Sequence, residues 1–386
     1  MSGHSRRGSP LYLERLGLTN YRNYETLNED FSAQLNILSG PNAQGKTNLL
    51  EAIYYLATGK TYRPARDLQL IRWNHQAFSI QGKIRNKQGY VTLEVLYKIG
   101  EQNSKEIKVN GLKIYKTSEL LGNLTAVLFA PEDLNIIKGS PLERRKILDN
   151  DISQVSPGYF LKLQQYNRVL NQRNYLLKKI RERGKGFDEL EIWNEQFLEL
   201  SESIILKRIN VLEKLSPLTR LMQRKLTNGQ ENLEIRYLFS RQKELKLNHD
   251  LKKVLLEELE KYRGEEIKKG ISLWGPHRDD LLISLNGNDL KVYGSQGQHR
   301  TAVLALKLSE LEFFKAESGE FPVLLLDDVL SELDQERRGF LLNIIKEKKI
   351  QCFITTTEDI ALENDRITIQ KFLIRQGTLI KCRGGK

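Results

Sequence analysis

The sequence predicts an α/β fold in which a β-rich head with mixed sheets is split by an all-helical insertion. Three observations carry this. A Gly-rich turn, Gly40 to Thr47, stands between a short apolar strand and an amphipathic helix. A second apolar strand, Val323 to Val329, ends in paired carboxylates. Between the two, from Pro141 to about Gly264, strand patterning gives way to long helical stretches.

The elements follow in order. Met1 to Pro10 is polar and basic and reads as a disordered or vector-derived tail. Leu11 to Tyr24 is a strand with a polar, aromatic end, and Gln34 to Leu38 is a short buried strand. Asn48 to Thr58 is a helix with Leu49, Leu50, Ile53, Tyr54 and Ala57 on one stripe and Gly59 as its stop. Tyr90 to Ile99 alternates as a half-buried strand, and Asn110-Gly111 turns a hairpin between Ile107–Val109 and Leu112–Ile114. Thr125 to Ala130 is a buried strand ended by Pro131. The insertion holds helices over Pro157–Arg183, Asp188–Lys214 and Leu245–Tyr262. Alternation resumes with a strand over Leu281–Leu285, a helix over Gln298–Ser318, a strand over Phe321–Leu326, a helix over Asp334–Lys348 and a last strand over Gln351–Thr355. The expected organisation is therefore a tail (1–10), a first head part (11–140), the insertion (141–264) and a second head part (265–386).

The turn has the form G-x-x-x-x-G-K-[ST], a phosphate-binding pattern. Gly40 and Gly45 let successive N–H groups point at a polyphosphate. Lys46 reaches the β- and γ-phosphates, the Thr47 hydroxyl is placed for Mg²⁺, and the helix N-terminus adds positive potential. Gly40, Pro41, Asn42, Ala43, Gln44, Gly45, Lys46, Thr47 and Asn48 are the candidate ATP-binding residues. Of the paired carboxylates, Asp327 is the expected Mg²⁺ ligand at a strand end, and Asp328 is placed to polarise the attacking water. Gly294-Ser295-Gln296-Gly297-Gln298 opens a helix about 30 residues earlier and offers a hydroxyl and N–H groups to a γ-phosphate. This order of motifs is that of an ABC-type P-loop ATPase head, with Ser331-Glu332-Leu333-Asp334 as the following D-loop. The superfamily often carries a switch His after the last strand; Thr355-Thr356-Thr357 stands there instead, so a hydroxyl would sense the γ-phosphate.

Hydrophobic residues are 39% and charged residues 28%, a soluble globular balance, and no apolar run approaches the ~20 residues of a membrane span. The start shows no secretory h-region, and two cysteines in so long a chain fit a reducing cytoplasm. Five scattered histidines give no zinc spacing. The net charge of +12 favours a polyanionic partner. It is concentrated between Pro141 and Gly186, where 11 Lys/Arg face 4 Asp/Glu. Arg144, Arg145, Lys146, Arg168, Arg173, Lys178, Lys179, Arg181, Arg183 and Lys185 are the candidates, with Arg173, Lys178, Lys179 and Arg181 as the expected DNA contacts.

Together LTNYRNYE, GPNAQGKTNLLEAIYYLATGKTYR, PEDL, GSPLERRKILD, GPHRDDL, GSQGQHRTAVLALKLSE, LLLDDVLSELD and ITTTE resemble the bacterial RecF recombination mediators, relatives of the heads of Rad50 and the SMC proteins. The resemblance implies an ATPase switch with ATP and Mg²⁺. It implies slow, DNA-stimulated hydrolysis and a head-to-tail homodimer on duplex DNA near single-strand/duplex junctions. It also implies work with RecO and RecR in loading RecA. Carried over residue by residue, Ser295, Gly297 and Gln298 would meet the ATP of the other protomer, Asp334 would lie at the dimer contact, and Arg22 would lie near the nucleotide. Glu132 and Asp133 stand where a Q-loop would bridge the lobes, although no Gln is there. A Rad50/SMC-like DNA-bridging head is the alternative, but it needs a long heptad coil that the insertion is too short to supply. The basic charge and the missing switch His argue against a transporter ATPase, and a small-molecule kinase has no need of the Ser-Gly motif.

Overall fold

The computed structural model describes residues 11–240, 243–244, 250–357 and 368–382. The tail 1–10 and the first residues of the helix expected over Leu245–Tyr262 lie outside them. The chain divides into two compact units, Met1–Asp133 with Glu310–Lys386, and Leu134–Ser309.

The first unit begins with β1 (Tyr12–Tyr21), β2 (Tyr24–Asp30), β3 (Leu35–Ser39), α1 (Lys46–Thr58), β4 (Ala77–Asn86), β5 (Gly89–Lys98), β6 (Ser104–Val109), β7 (Leu112–Ile114) and β8 (Ala126–Phe129). The second unit follows with α2 (Asn135–Lys138), α3 (Pro141–Val155), α4 (Pro157–Arg183), α5 (Phe187–Leu226), β9 (Leu233–Phe239), β10 (Lys243–Glu244), α6 (Leu251–Lys269), β11 (Asp280–Leu285), β12 (Asn288–Asp289), α7 (Leu290–Tyr293) and α8 (Gln296–Ser318), whose residues from Glu310 on belong to the first unit. The chain then completes the first unit with β13 (Val323–Leu326), α9 (Gln335–Lys348), β14 (Cys352–Thr356), β15 (Ile369–Arg375) and β16 (Thr378–Lys381).

Among the described residues, two sheets build the first unit. One is antiparallel, in the order β2-β1-β4-β5-β6-β7, and its last hairpin turns at Asn110-Gly111 with positive φ at both residues, as the sequence requires. The other runs β16-β15-β3-β14-β13-β8, parallel except for β16. Its central strands β13 and β14 are buried at every position, which explains their unbroken apolar runs. Helix α1 packs against β4 and β5 of one sheet and β8 and β14 of the other. Eleven of its residues, from Lys46 to Thr58, are buried in consequence. The loop before α1 is thereby fixed at the C-terminal ends of β3, β13 and β14, where open α/β sheets bind ligands.

The second unit is mostly helical but not wholly so. Strand β9 lies inside the stretch expected to be all-helical and pairs with β11 over Leu233–Leu238 and Asp280–Leu285. Its buried residues Leu233, Ile235, Tyr237 and Phe239 alternate, so the period-2 signal is present between two strong helices. Helix α5 runs on from the expected stop at Lys214 to Leu226, through Pro217. A proline removes one helical hydrogen bond, and the buried stripe Val211, Leu212, Leu215, Thr219 and Met222 outweighs that loss.

Part of the basic stretch expected to meet DNA is buried instead. Arg173 is 1% exposed and cannot contact DNA. It donates to Glu266 (2.5 Å), Ser272 (2.6 Å) and Asn194 (2.8 Å) and lies over the Phe197 ring. Arg144 is paired with Asp280 and Arg145 donates to the Asp279 carbonyl, both buried. A buried guanidinium needs such partners, so these arginines are structural. Lys178 and Arg181 are exposed, whereas Lys179 is half-buried and paired with Glu189.

Candidate functional site

The loop before α1 takes its shape from three left-handed residues, Gly40 (φ 146°), Ala43 (62°) and Gly45 (112°). Side chains at the two glycines would collide. A Cβ on Gly40 would sit 2.4 Å from the Ile374 carbonyl oxygen, and one on Gly45 2.6 Å from the Asn23 amide. The loop is pinned from outside. Asn23 donates to the Gln44 carbonyl (2.8 Å) and the Tyr24 hydroxyl to that of Gly45 (2.9 Å). The backbone of Gln376 donates to Gln44 Oε1, so Gln44 faces the β15–β16 turn.

Behind the loop lies a cavity of about 210 Å³, lined by Asn42, Ala43, Gly45, Lys46, Thr47, Asn48, Arg63, Asp327, Asp328 and Thr355. Residues 280 apart in sequence meet here: Thr47 Oγ1 donates to Asp327 Oδ1 at 2.9 Å. Thr355 Oγ1 donates to the same oxygen at 2.9 Å and accepts from the Asp328 N–H at 2.8 Å. Tyr62 donates to Asp327 Oδ2 at 3.2 Å. Lys46 Nζ donates to the carbonyls of Gly40 and Pro41. Burial pushes its pKa down, while Asp328 and Asp327 push it up. The expected phosphate loop and paired aspartates are thus brought to one pocket, and Thr355 holds both aspartates. Hard oxygens of one hydroxyl and one carboxylate suit Mg²⁺, which takes few protein ligands alongside phosphates, so Thr47 and Asp327 fit that ion.

Arg22 does not line this pocket. Its Nε and Nη2 are taken by Glu51 at 2.9 Å each, and its Nη1 by the Gln69 carbonyl. The arginine at the pocket wall is Arg63, in the segment after α1, which no motif spacing singled out. Glu132 and Asp133 are also outside the lining; Glu132 is exposed and Asp133 caps the Ala130 N–H at 2.8 Å.

Ser295, Gly297 and Gln298 lie in the second unit, in an open capping box at the start of α8. Gln298 N–H donates to Ser295 Oγ at 3.2 Å, and Ser295 N–H to Gln298 Oε1 at 2.9 Å. Ser295 and Gly297 are exposed. Asp334 caps α9 through the Arg337 N–H (2.9 Å), and that hydrogen bond leads the causes that hold its pKa down.

Fold and pocket together define a P-loop ATPase head of the cassette type. The model of the RecF/RecN/SMC N terminal domain matches residues 12–379. A DNA replication and repair protein RecF of Alkaliphilus oremlandii (strain OhILAs) is 44% identical over 350 residues, 90% of this chain and 93% of its own. That of Staphylococcus carnosus (strain TM300) is 42% identical over 376 residues, 96% and 100%. The structure of the recombination mediator protein RecF-ATP in the RecFOR pathway superposes with a TM-score of 0.90 at 41% identity, covering 98% of this chain and 100% of that one. An Smc head domain from Pyrococcus furiosus, at TM-score 0.55 and 19% identity, shares the fold. The chain belongs to the RecF family of DNA replication and repair proteins. Among the described residues, no helix is long and apolar enough to cross a membrane.

Proposed function

We propose that this chain is an ATP-gated DNA-binding protein of recombinational and gap repair. ATP would drive a head-to-tail homodimer on duplex DNA near single-strand/duplex junctions, and slow, DNA-stimulated hydrolysis would reset it. The observation that carries this reading is the Thr47–Asp327 hydrogen bond inside a pocket walled by Lys46, Arg63 and Asp328. Thr47 and Asp327 would hold Mg²⁺, which neutralises phosphate charge when bound. Lys46 would face the β- and γ-phosphates, and Asp328 would take a proton from the attacking water. Aspartate reaches less far than the glutamate many such ATPases use, which accords with slow turnover.

Ser295, Gly297 and Gln298 would cap the γ-phosphate of the partner protomer's ATP, with Asp334 at the dimer contact. The exposure of Ser295 and its place at a helix N-terminus support this. Lys178, Lys179 and Arg181 remain the proposed duplex contacts, through phosphates and with little sequence preference. The RecFOR pathway named for the structural relative supports RecR and RecO as partners; RecA as the protein loaded and a cytoplasmic place are proposed from the sequence resemblance alone. Gel filtration with and without ATP, Mg²⁺ and duplex DNA tests the reading. The parent should dimerise with ATP and carry DNA with it, and Lys46→Met should do neither. ATP-dependent dimers of Lys46→Met would overturn the pocket assignment.

A further inference from the structure

Glu51 lies one turn into α1, fully buried, and is used by no step above. Six hydrogen bonds converge on its carboxylate. Arg22 donates from Nε and Nη2, both at 2.9 Å. Arg63 donates from Nε at 3.0 Å and Nη2 at 2.5 Å. Tyr21 adds a hydroxyl at 3.0 Å and Thr61 one at 2.5 Å. Burial favours the neutral acid, but the hydrogen bonds from Arg63, Arg22 and Thr61 overcome it and hold the pKa at about 2. One carboxylate therefore forks two guanidinium groups, leaving a net charge of +1 on the trio. Only one of the two arginines lines the ATP pocket. Arg63 Nη2 is also tied to Asn48 Oδ1 at 2.6 Å, at the start of α1. Its Nη1 has no hydrogen-bond partner among the described residues.

We infer that Glu51 is a positioning residue for ATP: by clamping Nε and Nη2 of Arg63 it holds that guanidinium at the pocket wall with Nη1 offered to a phosphate oxygen. Planar, bidentate clamping is what an arginine offers and a lysine does not. Arg22 takes the other side of the same carboxylate and ties it to the β1–β2 turn, whose Asn23 also holds the phosphate loop. The inference rests on the ATP-site reading above.

A charge argument and the positioning argument give opposite signs for Glu51→Gln. Removing a negative charge close to a polyphosphate would tighten ATP binding if long-range electrostatics governed. Positioning requires binding to weaken, because a neutral amide cannot accept from two forks. The experiment is calorimetric titration of ATP with Mg²⁺ into the full chain, its Arg63→Ala and Glu51→Gln variants and the double variant, each checked for folding by thermal melt. Arg63→Ala is expected to weaken binding about tenfold or more, as the loss of a charge-assisted hydrogen bond does. Glu51→Gln should match it, and the double variant should be no worse than Arg63→Ala alone. Unchanged or tighter ATP binding by folded Glu51→Gln overturns the inference, as do additive losses. Should Glu51→Gln not fold, Arg63→Lys decides, since it keeps the charge and loses the fork. A loss equal to that of Arg63→Ala supports the clamp, and parental affinity overturns it. Lys46→Met separates the two readings. If it loses ATP while Arg63→Ala and Glu51→Gln bind normally, the ATP site stands and this inference alone falls. If Lys46→Met binds as the parent does, the pocket is not the ATP site and both fall.

Discussion

Asp327 and Asp328 are neighbours held in different ways. Asp327 is fixed through both carboxylate oxygens, by Thr47 and Thr355 on one and Tyr62 on the other, so it suits a ligand of set geometry. Asp328 has a left-handed backbone (φ 54°), and its N–H is tied to Thr355 Oγ1. Asp and Asn tolerate that conformation better than other side chains with a Cβ, at a cost on the order of 1 kcal/mol or more. Asp328→Asn should therefore keep the turn, the Thr355 contact and ATP affinity within about twofold, while removing the proton acceptor. Turnover should fall about 100-fold or more. Single-turnover hydrolysis of prebound ATP measures this directly. A parental rate would assign the base to another group.

At the scale of elements, GPHRDDL connects α6 to β11 and organises the interior of the second unit. His277 Nδ1 is 2.6 Å from the Tyr166 hydroxyl, and Asp279 accepts from Tyr237 and from the Ser240 N–H. Arg208 binds Asp149, Tyr159 and the Pro276 carbonyl. Burial pushes His277 down to about 3 and Asp279 up to about 6. The signs oppose. Unfolded His277 takes a proton near pH 6.5 that the folded form refuses, so it costs stability as pH falls from 6.5 towards 3. Folded Asp279 takes a proton between pH 6 and 4 that the unfolded chain does not, so it adds stability as pH falls through that window. His277→Gln, which keeps a polar partner for Tyr166, should remove the His277 cost and leave the other titrations, Asp279 included, in place. Relative to the parent, its stability should therefore rise as pH falls from 6.5 towards 3, by at most about 1.4 kcal/mol per pH unit. Urea melts at stepped pH, taken as variant against parent, check this; an unchanged slope would show that His277 titrates normally in the fold. The same unit shows where sequence reading ends. GPHRDDL was visible as a motif, but not that its polar groups are buried. Arg173 and Lys178 look alike in a basic helix, and only the Glu266 and Ser272 partners, some 90 residues on, decide that one is core and the other surface. Phosphate loop, paired aspartates and helix start were legible because each is a local pattern. Arg63 was not, because the contacts that hold it at the pocket wall come from a carboxylate on α1.

For the whole molecule, the consequence of the proposed architecture is that each ATP needs two chains. Ser295 stands in the second unit and Lys46 in the first, and the trans-site reading makes the ATP of one protomer part of its partner's surface. A plain capping role competes with this. Ser295 does cap α8, and losing such a cap to a side chain that cannot accept the hydrogen bond, Ala or Arg alike, costs about 1 kcal/mol. Capping alone therefore expects Ser295→Ala and Ser295→Arg to behave alike, with a slightly lower melting temperature and parental dimers. The trans site expects them to differ. Ser295→Ala loses one hydroxyl contact and should weaken ATP-driven dimerisation modestly. Ser295→Arg places a bulky cation at a close-packed phosphate contact and should abolish dimerisation, hydrolysis and stable DNA binding together. Monomeric ATP affinity should be near parental in both, since the pocket of the first unit is untouched. Mixing Ser295→Arg with Lys46→Met should restore at most one composite site per heterodimer, because each chain supplies one intact half. Sedimentation with ATP and Mg²⁺ decides: Ser295→Arg dimers as strong as the parent's would leave Ser295 as a helix cap and remove the trans site from the proposal.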